Sequence, residues 1–138
     1  MSAAENTAIV RRFLDEAISQ GNLAALDELC APDLVWHGGS VGEFRSLEQF
    51  KQGVGPFFTA FPDLRVTSGD MLAEGDKVVS RYTWHGTHRG AFFGTPATGK
   101  RVAVDGISMY RIAGGRIAEE WWQEDLLGLM RQLGAVPV

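Results

Sequence analysis

The sequence predicts an α+β domain with its helices first and its sheet second, and three observations carry that prediction. Apolar residues recur at helical spacing through most of the chain up to Phe61. From Leu64 onward the period drops to two, in runs broken by the hairpin signals Gly75-Asp76 and Gly114-Gly115. No repeat, low-complexity tract or linker separates the halves, so residues 1–138 read as one domain. A chain of this length buries about two-thirds of its unfolded surface without disulfides or metals.

In chain order, Ile9, Val10, Phe13, Leu14, Ala17 and Ile18 mark an amphipathic first helix, with Arg11, Arg12, Asp15 and Glu16 between them and Gly21 as its stop. Asn22 is placed to cap a short second helix whose Leu23, Leu26 and Leu29 face one way and which Pro32 closes. Leu34-Val35-Trp36 reads as a first strand that breaks at His37-Gly38-Gly39. Ser46, with Gln49 three residues on, resembles a capping box and opens a third helix. That helix runs through Leu47, Phe50, Val54, Phe57, Phe58 and Phe61, and Gly53, Gly55 and Pro56 are expected to kink or split it. Its four phenylalanines read as core.

Strands follow at 64–73 and 77–86. The segment 87–100 is a turn-rich loop with Phe92 and Phe93 as an apolar anchor. Two long strands, 101–112 and 116–124, organise the rest of the chain. The second of them sets Glu119, Glu120, Glu124 and the adjoining Asp125 around two adjacent indoles, Trp121 and Trp122, a composition odd for a surface strand. Leu126, Leu127, Leu129, Met130 and Leu133 predict a closing helical turn or two that ends at Gly134. The expected architecture is three N-terminal helices against one face of a curved sheet, leaving a cone with a mouth.

Composition narrows the partners. An apolar share of 45% and a charged share of 22% are those of an ordinary soluble globule. The formal charge of −4 argues against non-specific affinity for nucleic acid, which depends on clustered Lys and Arg. No apolar run approaches the roughly 18 residues that span a bilayer, so no membrane partner is expected. Cys30 has no second cysteine to pair with, and the N-terminus lacks a cationic-then-apolar leader pattern. A reducing, cytoplasmic setting is the expectation, with Cys30 a packing residue. His37, His85 and His88 offer no zinc or iron spacing, and Gly86 to Gly90 lacks the strand–helix context of a phosphate loop. Neither a metal nor a cofactor is expected.

The element order together with Phe61-Pro62-Asp63-Leu64, Gly86-Thr87-His88-Arg89-Gly90, Gly94-Thr95-Pro96-Ala97-Thr98-Gly99-Lys100, Gly114-Gly115-Arg116-Ile117 and Arg131-Gln132-Leu133-Gly134 resembles the SnoaL-like polyketide cyclase family, within the nuclear transport factor 2-like (NTF2-like, cystatin-like) superfamily. The resemblance implies an α+β cone with a mixed or antiparallel sheet, a largely apolar ligand cavity and, commonly, a homodimer. It also implies a cyclase that closes a polyketide ring by an aldol step, with an Asp on the last strand and a His on the strand before it. Aligned through the Gly-Arg-Ile and Arg-Gln-Leu-Gly anchors, those positions hold Trp122 and Ser108 here. An indole cannot take a proton from carbon, and a serine replaces an imidazole only with a partner base. The superfamily hosts isomerases, epoxide hydrolases and non-catalytic binders as well, so function has to be argued from the site.

If Ser108 and Trp122 mark the cavity face, alternation adds Val102, Val104 and Tyr110 to it and sets Glu120 and Glu124 beside Trp122. Glu120 is then the leading catalytic carboxylate, because an apolar setting raises a carboxyl pKa toward neutral. The competing reading pairs it with an arginine. Asp125 is either a rim acid or the N-cap of the last helix, and the cap is the simpler role. His88 is either an acid–base group or a tie for its own loop, and His37 stands where it would reach the cavity mouth. Trp36, Tyr82, Trp84, Tyr110 and Trp122 form either an aromatic cage for a planar ligand or an ordinary aromatic core. The expected function is binding of a small-to-medium hydrophobic molecule with cofactor-independent acid–base chemistry, as in a cyclase or isomerase. The alternatives are a non-catalytic binder and, third, an epoxide hydrolase built on Arg81, Asp105 and Asp125.

Overall fold

The computed structural model describes residues 2–136. Helix α1 (Ala3–Arg12) passes without a break into a π-helical segment, Phe13–Ile18, in which the Ser19 amide reaches back to the Leu14 carbonyl at 2.9 Å. The wider turn still turns Phe13, Leu14 and Ala17 inward, so the apolar face read from the sequence is kept. Asn22 supplies no side-chain cap; a 3-10 turn, Leu23–Ala25, leads into the single turn of α2 (Leu26–Leu29). That helix ends before Pro32, because Cys30 is already extended and opens strand β1 (Cys30–His37). Pro32 therefore lies in a strand, within the stretch where the β1 register is irregular and a missing N–H is tolerated.

A two-residue strand, β2 (Glu43–Phe44), follows; it is too short to leave a period in the sequence. Helix α3 (Leu47–Ala60) is continuous, not split at Pro56. Ser46 caps it by accepting the Gln49 amide at 3.1 Å, while the Gln49 side chain takes the Arg45 amide rather than that of Ser46. Packing of Leu47 and Phe50 in the core holds the helix through its glycines and proline. Strands β3 (Arg65–Glu74) and β4 (Lys77–Thr87) form one hairpin, and β5 (Arg101–Ala113) and β6 (Arg116–Glu124) another. Gly114 and Gly115 take φ of 58° and 76° in the second turn, the left-handed pair that a two-residue hairpin needs. In the loop between β4 and β5 only Phe92 is an anchor; Phe93 is 64% exposed. Helix α4 (Leu126–Gln132) closes the chain.

The six strands form one mixed sheet in the order β2-β1-β6-β5-β4-β3, with β1 and β6 parallel and every other pair antiparallel. The order puts β6 and β5 in the middle. Register shifts in the β3–β4, β5–β6 and β1–β6 pairings bend the sheet around the helices. Two apolar clusters form on the covered face, one about Phe13, Trp36, Phe50 and Tyr110 and one about Phe61, Tyr82, Trp84 and Leu129. Among the described residues no helix is long and apolar enough to cross a membrane.

Candidate active site

Strand alternation decides what β6 presents to each side. Glu120, Trp122 and Glu124 point to the helix-covered face, and Glu119 and Trp121 to the other, where they meet His37. On the covered face β6 is flanked by Trp36 and Tyr110 opposite Glu120, by Ser108 opposite Trp122 and by Gly106 opposite Glu124. Residues of the two apolar clusters meet there around a cavity of about 80 Å³. The helices contribute Phe13, Leu14, Ile18, Phe50, Val54, Phe57 and Phe58 to its wall. The strands contribute Trp36, Val66, Tyr82, Trp84, Tyr110 and Trp122, and among the described residues the carboxylates on the lining are Glu120 and Glu124.

The two carboxylates differ in their surroundings. Glu120 is 3% exposed and outside every ion pair found among the described residues, so no arginine neutralises it. Burial pushes its pKa up to about 8, against the pull of the Trp36 indole and Ser108 hydroxyl and with a further push from the charge on Glu124. Glu124 is partly exposed as a residue, but its carboxylate is enclosed by donors. Tyr82 Oη and Trp122 Nε1 donate to Oε2 at 2.7 and 2.8 Å, and Trp84 Nε1 to Oε1 at 2.8 Å. Burial raises its pKa to about 7, and the three donors hold it down. Burial also raises the Tyr82 and Tyr110 hydroxyls well above the ordinary tyrosine value, which keeps both neutral. The cavity therefore holds two carboxyls whose pKa values burial lifts toward neutrality, with that of Glu124 held below that of Glu120 by its donors.

The structure brings Trp36, Tyr82, Trp84, Tyr110, Glu120 and Trp122 together, as the alternation implied. Trp36 and Trp122 pack directly, with centroids 5.2 Å apart, and Phe57 bridges Trp122 and Trp84 at 6.2 and 6.5 Å. Ser108 is buried behind this wall, its hydroxyl 3.4 Å from that of Tyr82. Three other candidates lie elsewhere. His37 does not reach the cavity: its ring nitrogens contact Glu43 and Glu119 at 2.6 Å each, on the opposite side of the sheet. His88 is fully buried and off the cavity lining; its Nδ1 accepts the Thr98 amide at 3.1 Å and meets the Thr98 hydroxyl at 2.9 Å, tying down its own loop. Asp125 is the N-cap of α4, its Oδ1 accepting the Gly128 amide at 2.8 Å.

The epoxide-hydrolase constellation does not assemble on the cavity. Arg81 pairs with Asp70 at 2.8 Å, Asp105 accepts the Thr83 hydroxyl at 2.6 Å, and neither these nor Asp125 line the wall. Burial raises the Cys30 thiol far above its ordinary value, so it packs rather than reacts. Among the described residues no group of three His, Cys, Asp or Glu side chains is arranged to hold a metal ion.

A family model for SnoaL-like polyketide cyclases matches residues 8–133. The chain belongs to the SnoaL-like polyketide cyclase family. Solved structures superpose over almost its whole length. TsrD from Streptomyces laurentii is 33% identical, with a TM-score of 0.87 and 99% of each chain covered. A protein described as a SnoaL-like polyketide cyclase from Jannaschia sp. CCS1 is 28% identical, with a TM-score of 0.89, 98% of this chain and 95% of that one covered. Over 60 residues the chain is 38% identical to the aklanonic acid methyl ester cyclase DnrD of Streptomyces peucetius, an alignment covering 44% of this chain and 41% of that protein. The chain thus matches less than half the length of that curated relative. These likenesses confirm the NTF2-like α+β fold read from the sequence motifs.

Sequence reasoning missed part of the SnoaL-like cavity. Phe57 and Phe58 read as core, because helical spacing shows which face is covered and not whether the space behind it is filled. The part played by Glu124 was also hidden, since its three donors come from two strands and only Trp122 is near it in sequence.

Proposed function

We propose that the cavity takes a small-to-medium hydrophobic carbonyl compound, polyketide-like or aromatic, and that Glu120 moves a proton on it without a cofactor, as a cyclase or isomerase does. One observation carries this reading: Glu120 is a carboxyl without an ion-pair partner among the described residues, buried against a largely apolar cavity, with a pKa raised to about 8. A carboxyl with a pKa near the working pH can both give and take a proton. As carboxylate, Glu120 removes a proton α to the carbonyl and leaves an enolate. In a cyclisation the enolate carbon bonds to a second carbonyl carbon, and the oxygen of that carbonyl takes the proton back. In an isomerisation the proton returns to another carbon. The cavity of about 80 Å³ is smaller than the roughly 300–1,000 Å³ of typical ligand sites, so a ligand of that size has to displace wall side chains. Phe57 and Phe58, half-buried on α3, are the ones the reading moves. A homodimer in a cytoplasmic setting belongs to the same reading.

A second reading, a non-catalytic binder, is favoured by one feature. The positions that carry His and Asp in the characterised cyclases are Ser108 and Trp122, and here they are direct cross-strand partners, neither of them a base. Tryptophan fluorescence against a panel of aromatic ketones, followed by product analysis, separates the two. Conversion that drops by roughly 100-fold or more in Glu120→Gln supports the acid–base reading. Tight binding without conversion selects the binder, and unchanged turnover in Glu120→Gln removes Glu120 from the mechanism.

A further inference from the structure

The row of residues that crosses the sheet at Tyr82, Gly106 and Glu124 is built around a missing side chain. Tyr82 on β4 and Glu124 on β6 are both paired with Gly106 on the intervening β5, so they meet across a whole strand. A Cβ on Gly106 would lie 2.7 Å from Tyr82 Oη and 2.8 Å from Glu124 Cγ, closer than such atoms approach. Gly106 has no left-handed φ that would call for glycine, so the open space is the reason for glycine here. Through that window the Tyr82 hydroxyl reaches the Glu124 carboxylate at 2.7 Å, and the indoles of Trp84 and Trp122 close on the same two oxygens.

We propose that Glu124 is a positioning residue for the acid–base site, its carboxylate fixing Tyr82, Trp84 and Trp122 through the Gly106 window around the space that Glu120 faces. Three donors engage the two oxygens of Glu124 and oppose the effect of its burial, so of the two carboxyls Glu124 is the one that loses its proton first. Its charge then favours the protonated form of Glu120. The other groups acting on Glu120 are Tyr110 and Ser108 on β5, and Trp36 and Cys30 on β1, all neutral near pH 7. Glu124 is the one charge among them. The inference rests on the reading of Glu120 as the acid–base group, but its test reads protonation and hydrogen bonding rather than turnover, so either can fail while the other stands.

The experiment is an NMR titration of the free protein, following ¹³C-labelled glutamate carboxyls and the indole N–H signals. In the wild type the Trp84 and Trp122 indole signals are expected to move with the Glu124 titration near pH 7, and Glu120 to titrate later, near pH 8. In Glu124→Gln the Glu120 titration is expected to shift downward, and the pH-dependent step in both indole signals to vanish. In Gly106→Ala the Tyr82–Glu124 contact is expected to be lost, with the Glu124 titration moving upward as it gives up a donor. Wild-type indole signals that do not follow Glu124 overturn the proposal, and that arm requires no variant to fold. An unmoved Glu120 titration in Glu124→Gln overturns it as well.

Discussion

Glu120 is held in the fold at a free-energy cost that depends on pH. Its folded pKa of about 8 lies above the ordinary carboxyl value of 4.5, so between those limits the unfolded chain has released a proton that the folded chain keeps. The stability tied to that proton is complete below about pH 4.5 and is lost as pH rises through 8, a change on the order of a few kcal/mol. Glu120→Gln removes the dependence: thermal melts should show the variant gaining in Tm relative to wild type above pH 8 and little difference near pH 4. A flat difference across that range would place the carboxyl in contact with water. At this scale the sequence located Glu120, because one alternation on β6 and one apolar cavity sufficed. It misplaced His37, whose outward direction follows from the strand β1 and the partners Glu43 and Glu119.

Among the elements, α3 shows how a helix can keep residues that its own propensity disfavours. The Phe44 ring of β2 occupies the space where a Gly53 Cβ would stand, with ring atoms from 2.0 Å away, so this glycine is the contact surface between helix and strand. Gly55 has nothing within 4 Å of the same point. Gly55→Ala should therefore stabilise by roughly 0.5–1 kcal/mol, the helix-propensity gain of alanine over glycine where a Cβ has room. Gly53→Ala should instead cost about 1–3 kcal/mol of overpacking, despite the same gain in propensity. Urea unfolding of the pair measures both, and equal effects would show that Phe44 yields without cost. The elements themselves were legible where a period repeats: β4, β5 and β6 fall within a residue of the ranges read from alternation. The two-residue β2 and the π-helical turn were not, since one has no period and the other shares the apolar spacing of an α-helix.

In the whole molecule the cavity is the gap between two apolar clusters, closed on the helix side by α3 and the π-helical segment and on the other by the sheet. A ligand larger than about 80 Å³ should shift the ring signals of Phe57 and Phe58 and quench the indoles of Trp84 and Trp122, while amides of β5 and β6 keep their protection from hydrogen exchange. Binding that leaves both rings unmoved would place the ligand outside the cavity. The sequence by itself determined the α+β order, the hairpin turns, the face of β6 that turns inward and the family motifs, because each is written in a local period or a short run of residues. Only the tertiary structure decided that β6 lies between β1 and β5, that Glu124 gathers donors from Tyr82, Trp84 and Trp122, and that Gly106 leaves room for the first of them. The Glu124 contacts alone join residues up to 42 positions apart, and pairing across strands carries no local periodicity from which it can be read.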